Sequence, residues 1–125
     1  MKIDESIRNV FNEIIQIRDK NNPCIICGYP LGNNSINVCH YIKKSQSSLL
    51  KFKLSNAHLG HQWCNQKEEY DENFSSSHAL NVLEREGLNE YMLLNSIKRQ
   101  TIKFGSSEKK ELLSMLKIEL KNYKR

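Results

Sequence analysis

Apolar residues return every three or four positions through the opening segment. Ile3, Ile7, Val10, Phe11, Ile14 and Ile17 line one side of a helix spanning Ile3 to Lys20, and Pro23 ends it. The pattern then changes. Asn37 to Ile42 and Phe52 to Leu59 are short, rich in branched and aromatic residues, and lie on either side of the polar run Lys43-Lys44-Ser45-Gln46-Ser47-Ser48. They predict two antiparallel strands joined by a loop too long for a tight turn. Helical stretches follow after Cys64 through Asp71, from Ser77 to Glu86 with Gly87 as the stop, and from Asn89 to about Gln100. Gly105 and Ser106 punctuate again, and a last helix from Ser107 to about Tyr123 places Leu112, Leu113, Leu116 and Leu120 on one face.

This order predicts one α+β domain over residues 1–125, with an N-terminal helix (1–22), a central core (23–72) and a helical C-terminal part (77–125). No repeat is present, and Asn73-Phe74-Ser75-Ser76-Ser77 is the one soft joint. Apolar runs of two or three residues exclude a membrane span, which needs roughly 20, and a secretion signal, so a soluble protein of a reducing cytoplasm is expected. There four cysteines are more suited to metal or redox chemistry than to disulfides. With 38% hydrophobic residues the core is modest, and a metal staple would help it.

Charge sharpens the picture because it is uneven. Lys20 to Lys67 holds six basic residues and no acidic one, Glu68 to Glu90 seven acidic against one basic, and Lys98 to Arg125 nine basic against three acidic. Basic blocks of this kind suit a polyanion, since each Lys or Arg paired with a phosphate releases counterions.

The strongest motif is Cys24-Ile25-Ile26-Cys27 answered by His61-Gln62-Trp63-Cys64. Two residues between ligands let a tight turn present both to one ion, and two such turns complete the tetrahedral sulfur and imidazole set that Zn²⁺ takes in structural sites. Cys39 is the alternative to His61 as fourth ligand. Trp63 and Tyr70 are expected as core residues around this knuckle. Between the two turns lie His40, Asn56 and His58, and Asn65 follows directly. If the strands pair and the next helix crosses them, these residues converge on a candidate active site where a neutral imidazole takes a proton from water.

Taken together, Cys24-x2-Cys27, Cys39-His40-Tyr41, Leu54-Ser55-Asn56-Ala57-His58 and His61-x2-Cys64-Asn65 resemble an HNH nuclease of the ββα-metal class with a zinc knuckle. More closely they resemble the phage NinG (Rap) recombination proteins, as does Ile17-Arg18-Asp19 before the first turn. The resemblance implies a zinc-stapled ββα-metal core, with His40 as general base, Asn56 holding the inter-strand loop and Asn65 facing a catalytic metal. In the related endonuclease VII group an acidic residue precedes the histidine and binds Mg²⁺. Here that residue is Cys39, and NinG proteins have glycine. His61 stands where NinG has cysteine. Strand alternation and one helical turn then suggest His58, Asn65 and Glu68 as ligands of Mg²⁺ or Mn²⁺.

The function so implied is metal-dependent hydrolysis of DNA phosphodiester bonds, on branched recombination intermediates such as Holliday junctions. Lys43, Lys44, Lys51 and Lys53 would hold the DNA backbone, and a homodimer built on the last helix would make paired cuts. The alternative is a zinc-containing DNA-binding accessory protein with weak or no nuclease activity.

Overall fold

The computed structural model describes residues 2–124 and has an α+β architecture. Among them are five α-helices and one two-stranded antiparallel sheet. The apolar stripe of the opening segment forms α1 (Ile3–Asp19), which buries Ile7, Phe11, Ile14 and Ile15. Strand β1 (Ile36–His40) pairs with β2 (Ala57–His61) in the register Ile36↔His61, Val38↔Leu59 and His40↔Ala57. Helix α2 (Gln62–Lys67) leaves β2 without an intervening loop, and α3 (Glu72–Glu86), α4 (Leu88–Ser96) and α5 (Ser106–Tyr123) complete the chain. None of the described helices is long and apolar enough to cross a membrane.

The two largest differences from the expected boundaries have local reasons. The second strand begins at Ala57 instead of Phe52, because Leu54–Asn56 close a 3₁₀ turn whose Asn56 amide is spent on the loop. The serine-rich stretch 73–77 is no joint: it lies in the first turns of α3. Asp71 caps that helix by accepting from the Asn73 N–H at 3.0 Å, a recognised N-cap arrangement that hydropathy does not register. Ser77 and Asn81 on α3 then bond the carbonyls of Ile26 and Ile25, holding α3 against the first cysteine turn.

The C-terminal end of α1 is a second fastening point. Arg18 and Asp19 form a two-bond ion pair, Nε to Oδ1 at 2.7 Å and Nη2 to Oδ2 at 2.9 Å. Arg18 also donates to the carbonyls of Leu54 and Ala57, while Asp19 accepts from the Leu59 N–H. The pair fixes where β2 starts. Burial alone would push the Asp19 carboxyl up, but the guanidinium and the Leu59 amide outweigh it and hold it below its usual range.

Helix α5 lies along α1. Its leucine face packs inward: Leu116 is buried and Leu112, Leu113 and Leu120 pack on the core. Ion pairs Lys109–Asp4 and Lys124–Glu13, both at 2.9 Å, lie at the two ends of the contact. The face expected to join two copies of the chain is thus occupied within one copy, where α5 packs along α1. Leu116→Ala should therefore cost about 2–5 kcal/mol of stability in a denaturant titration. A loss below about 0.5 kcal/mol would mean that the contact does not hold the fold.

Candidate functional site

Two groups of residues predicted from sequence come together. The first is Cys24, Cys27, His61 and Cys64, whose ligand atoms all lie within 4.8 Å of one another. Cys24 and Cys27 are brought round by a turn in which the Gly28 N–H donates to the Cys24 carbonyl and Gly28 takes a φ of +81°, open to glycine at little cost. His61 ends β2, and Cys64 sits one turn into α2. The His61 Nδ1 is 3.4 Å from Cys27 Sγ and 3.7 Å from Cys64 Sγ. Tetrahedral zinc, with bonds of about 2.3 Å to sulfur and about 2.0 Å to nitrogen, sets such an S···N edge at roughly 3.5 Å.

The surroundings also fit zinc. His61 donates its Nε2–H to the Pro30 carbonyl at 3.0 Å, which leaves Nδ1 as the ligand atom. Backbone N–H groups of Ile26 and His61 point at Cys24 Sγ at 3.4 and 3.3 Å, the pattern that stabilises a thiolate. Cys39 is not in the set. Its buried thiol contacts the Asn37 carbonyl, and burial pushes it up to about 12. It packs behind the cluster across Gly60, where an added Cβ would lie 2.9 Å from Cys39 Sγ and 3.4 Å from Cys24 Sγ.

The second group surrounds His40. A cavity of about 720 Å³ is lined by His40, Lys43, Lys44, Asn65, Glu68 and His78, among others. His40 ends β1, stacks on Phe11 with ring centroids 6.0 Å apart, and donates Nε2–H to the Lys51 carbonyl at 2.8 Å. A carbonyl can only accept, so that bond fixes the tautomer and leaves the lone pair on Nδ1, which has no protein partner among the described residues. Burial, with Lys44 and Lys43 nearby, pulls the imidazole down to about 4 despite the Lys51 carbonyl. The ring is neutral at pH 7.

Asn56 is fully buried at the neck of the loop. Its Oδ1 accepts from the Ile42 N–H at 2.8 Å, and its Nδ2 donates to the carbonyls of Ile42 and Leu50 at 2.9 and 3.2 Å. It thereby sets the path that brings the Lys51 carbonyl to His40. Further out, Ser47 and Ser48 bond the carbonyls of Gln100 and Ile102.

Other expected members lie elsewhere. His58 does not reach the cavity. In the register it opposes Cys39 and not His40, so the two histidines project from opposite faces of the sheet, and His58 is fully buried with Nε2 2.7 Å from Glu86. Strand alternation was counted along a strand that included Asn56, and Asn56 is in the 3₁₀ turn. The trio His58, Asn65 and Glu68 is therefore not assembled. Among the lysines, Lys43 and Lys44 line the cavity, whereas Lys53 pairs with Glu90 at 3.2 Å and Lys51 lies over the Phe52 ring. Trp63 and Tyr70 are exposed, not core.

Sequence reasoning missed His78, buried on α3, which pairs with Glu68, itself paired with Lys43. Those two partners hold the Glu68 carboxyl below its usual range although burial pushes it up. The only signal was a histidine ten residues after Glu68, a spacing with no periodic meaning across a helix break. Over residues 2–125 the chain matches the family model described as Bacteriophage Lambda NinG protein. No curated protein and no solved structure matches it.

Proposed function

Because the chain belongs to the NinG family of bacteriophage Lambda, a family associated with phage recombination, we propose that it is an HNH-type endonuclease that hydrolyses phosphodiester bonds in branched DNA. The observation that carries this reading is the His40 geometry. A neutral imidazole with its Nε2–H tied to a backbone carbonyl and its Nδ1 unengaged, in a cavity with two lysines, is a general base beside a phosphate site.

In the step this implies, His40 Nδ1 takes a proton from water, the hydroxide oxygen bonds to phosphorus, and a P–O bond to the neighbouring nucleotide breaks, the leaving oxygen taking a proton from solvent and His40 returning its proton to solvent. Lys43 and Lys44 face the phosphate charge, and Asn56 keeps the base oriented through the loop. The succession β1, β2, α2, with β1 and α2 contributing to one cavity, supports a ββα-metal core.

A divalent cation fits the donors present less well than zinc fits the cysteine cluster. Asn65 and Glu68 line the cavity, but both carboxylate oxygens of Glu68 are taken, one by Lys43 and one by His78. Cys39 stands where the endonuclease VII group has its acidic residue, so the chain brings no free carboxylate to that position. The same gap favours, as a second reading, an accessory protein that binds branched DNA without cutting it.

Incubation of the protein with four-way junctions and linear duplex, in Mg²⁺, in Mn²⁺ and in EDTA, separates these readings. Paired nicks in the junction are expected. Two cuts need two sites, so a twofold pair of chains on the DNA is part of the proposal, using a surface other than the α5 leucines. Junction binding without a nick in any of the three conditions would establish the accessory reading instead.

A further inference from the structure

The chain's single tryptophan, Trp63, is 60% exposed, and Tyr29 and Tyr70 are 73% and 75% exposed. Trp63 is steadied edge-on by Phe74, ring centroids 5.5 Å apart, yet most of it faces solvent. The Lys67 ammonium sits 5.6 Å from the Trp63 ring centroid and 5.9 Å from those of Tyr70 and Phe74. Beside them runs a groove of about 790 Å³ lined by Tyr29, Asn34, Gln62, Trp63, Gln66 and Phe74, bordering the zinc-type cluster.

We propose that this groove binds an unpaired nucleobase of single-stranded DNA, with the base stacked on Trp63, its edge met by the amides of Asn34, Gln62 and Gln66, and its phosphate on Lys67. Each part answers a part of a nucleotide. Aromatic rings match the flat π-face that every base carries. Side-chain amides offer both donors and acceptors, as a base edge does. An apolar peptide would leave the amides of Gln62 and Gln66 unpaired, Asn34 already donating to the Leu31 carbonyl, and this argues against it. A duplex keeps its bases stacked inside, out of reach of a ring at the groove wall.

The groove also has a place in the proposed reaction. Helix α2 presents Trp63 and Gln66 to the groove and Asn65 to the His40 cavity, so one short helix joins the two. The inference rests on the reading that the protein acts on DNA, and it names the form of the strand: unpaired next to the phosphate that is cut.

Because Trp63 is the only indole, its fluorescence reports on the groove directly. The full-length, zinc-loaded protein should show saturable quenching with an oligothymidylate of about eight nucleotides and far less with a duplex of equal length. Trp63→Ala should weaken binding of the labelled oligonucleotide, read by anisotropy, about 5- to 150-fold, and Trp63→Phe should restore most of it. Zinc content and circular dichroism establish that the variants are folded, and if Trp63→Ala loses zinc, Tyr29→Ala and Lys67→Gln carry the same comparison. Unchanged affinity in the folded variants, or equal quenching by duplex, overturns the proposal. His40→Ala should quench like the parent. Quenching by the oligonucleotide with no cleavage by the parent defeats the nuclease reading alone, whereas absent quenching with His40-dependent cleavage intact defeats the base-binding groove alone.

Discussion

Cys24→Ser or Cys64→Ser should leave a protein that does not hold zinc and does not fold at 37 °C. Cys24 is wholly buried and takes backbone N–H bonds from Ile26 and His61, and Cys64 ties the start of α2 to the same point. Four segments thus hang on one centre: the turn after α1, the end of β2, the start of α2, and α3 through Ser77 and Asn81. Binding free energies of structural zinc are about 10–16 kcal/mol in small domains, more than the total stability of most domains of this size, so losing one ligand of four removes most of the margin. Elemental analysis and thermal unfolding check this. One zinc per chain and a cooperative transition are expected for the parent, and neither for the serine variants. Cys39→Ser, by contrast, should keep its zinc, because Cys39 lies outside the ligand set. A zinc-free parent would refute the assignment.

His40→Ala should lower junction cleavage by about 10²–10⁴-fold, the range that general-base catalysis contributes, with zinc content and junction affinity close to those of the parent. The affinity should persist because Lys43 and Lys44 hold their places through Glu68 and the loop, not through the imidazole. The pH dependence has a sign that follows from burial. His40 is held down to about 4, so the free protein keeps its base unprotonated from about pH 5 upward. The acid limb of kcat/KM should fall near pH 4, not near the 6.5 of an exposed histidine. Cleavage by His40→Ala within a few-fold of the parent would remove the histidine from the reaction.

What the sequence could and could not reveal divides along physical lines. Cys24, Cys27, His61 and Cys64 were legible because two-residue spacing acts within one turn of chain, whatever the rest of the fold does. The stripe of α1 was legible for the same reason. The two histidines were not separable, since their faces depend on register, and register here is set by a 3₁₀ turn and by Arg18 and Asp19 reaching back from α1. His78 could not be placed because its partner Glu68 lies across the break between α2 and α3. Trp63 and Tyr70 were misplaced because a large ring suggests core material, while Trp63 lies on the outer side of α2 and Tyr70 in the turn that follows it. The α5 leucines showed an apolar face but not its occupant.

Helices α1 and α5 run in the same direction, since Lys109 at the start of α5 meets Asp4 at the start of α1, and Lys124 at the far end of α5 meets Glu13. Two neighbouring parallel helices cannot be joined by a short link; everything from Lys20 to Gly105 lies between them. During synthesis, therefore, α1 emerges first and waits for its neighbour until the last segment has left the ribosome. The order of events on the nascent chain follows: the cysteine cluster can close while α5 is still being made, and the helix pair shuts last, like a clasp over a finished interior. A ribosome stalled just before Ser106 should carry a chain that already retains zinc yet shows its α1 flank to chaperones.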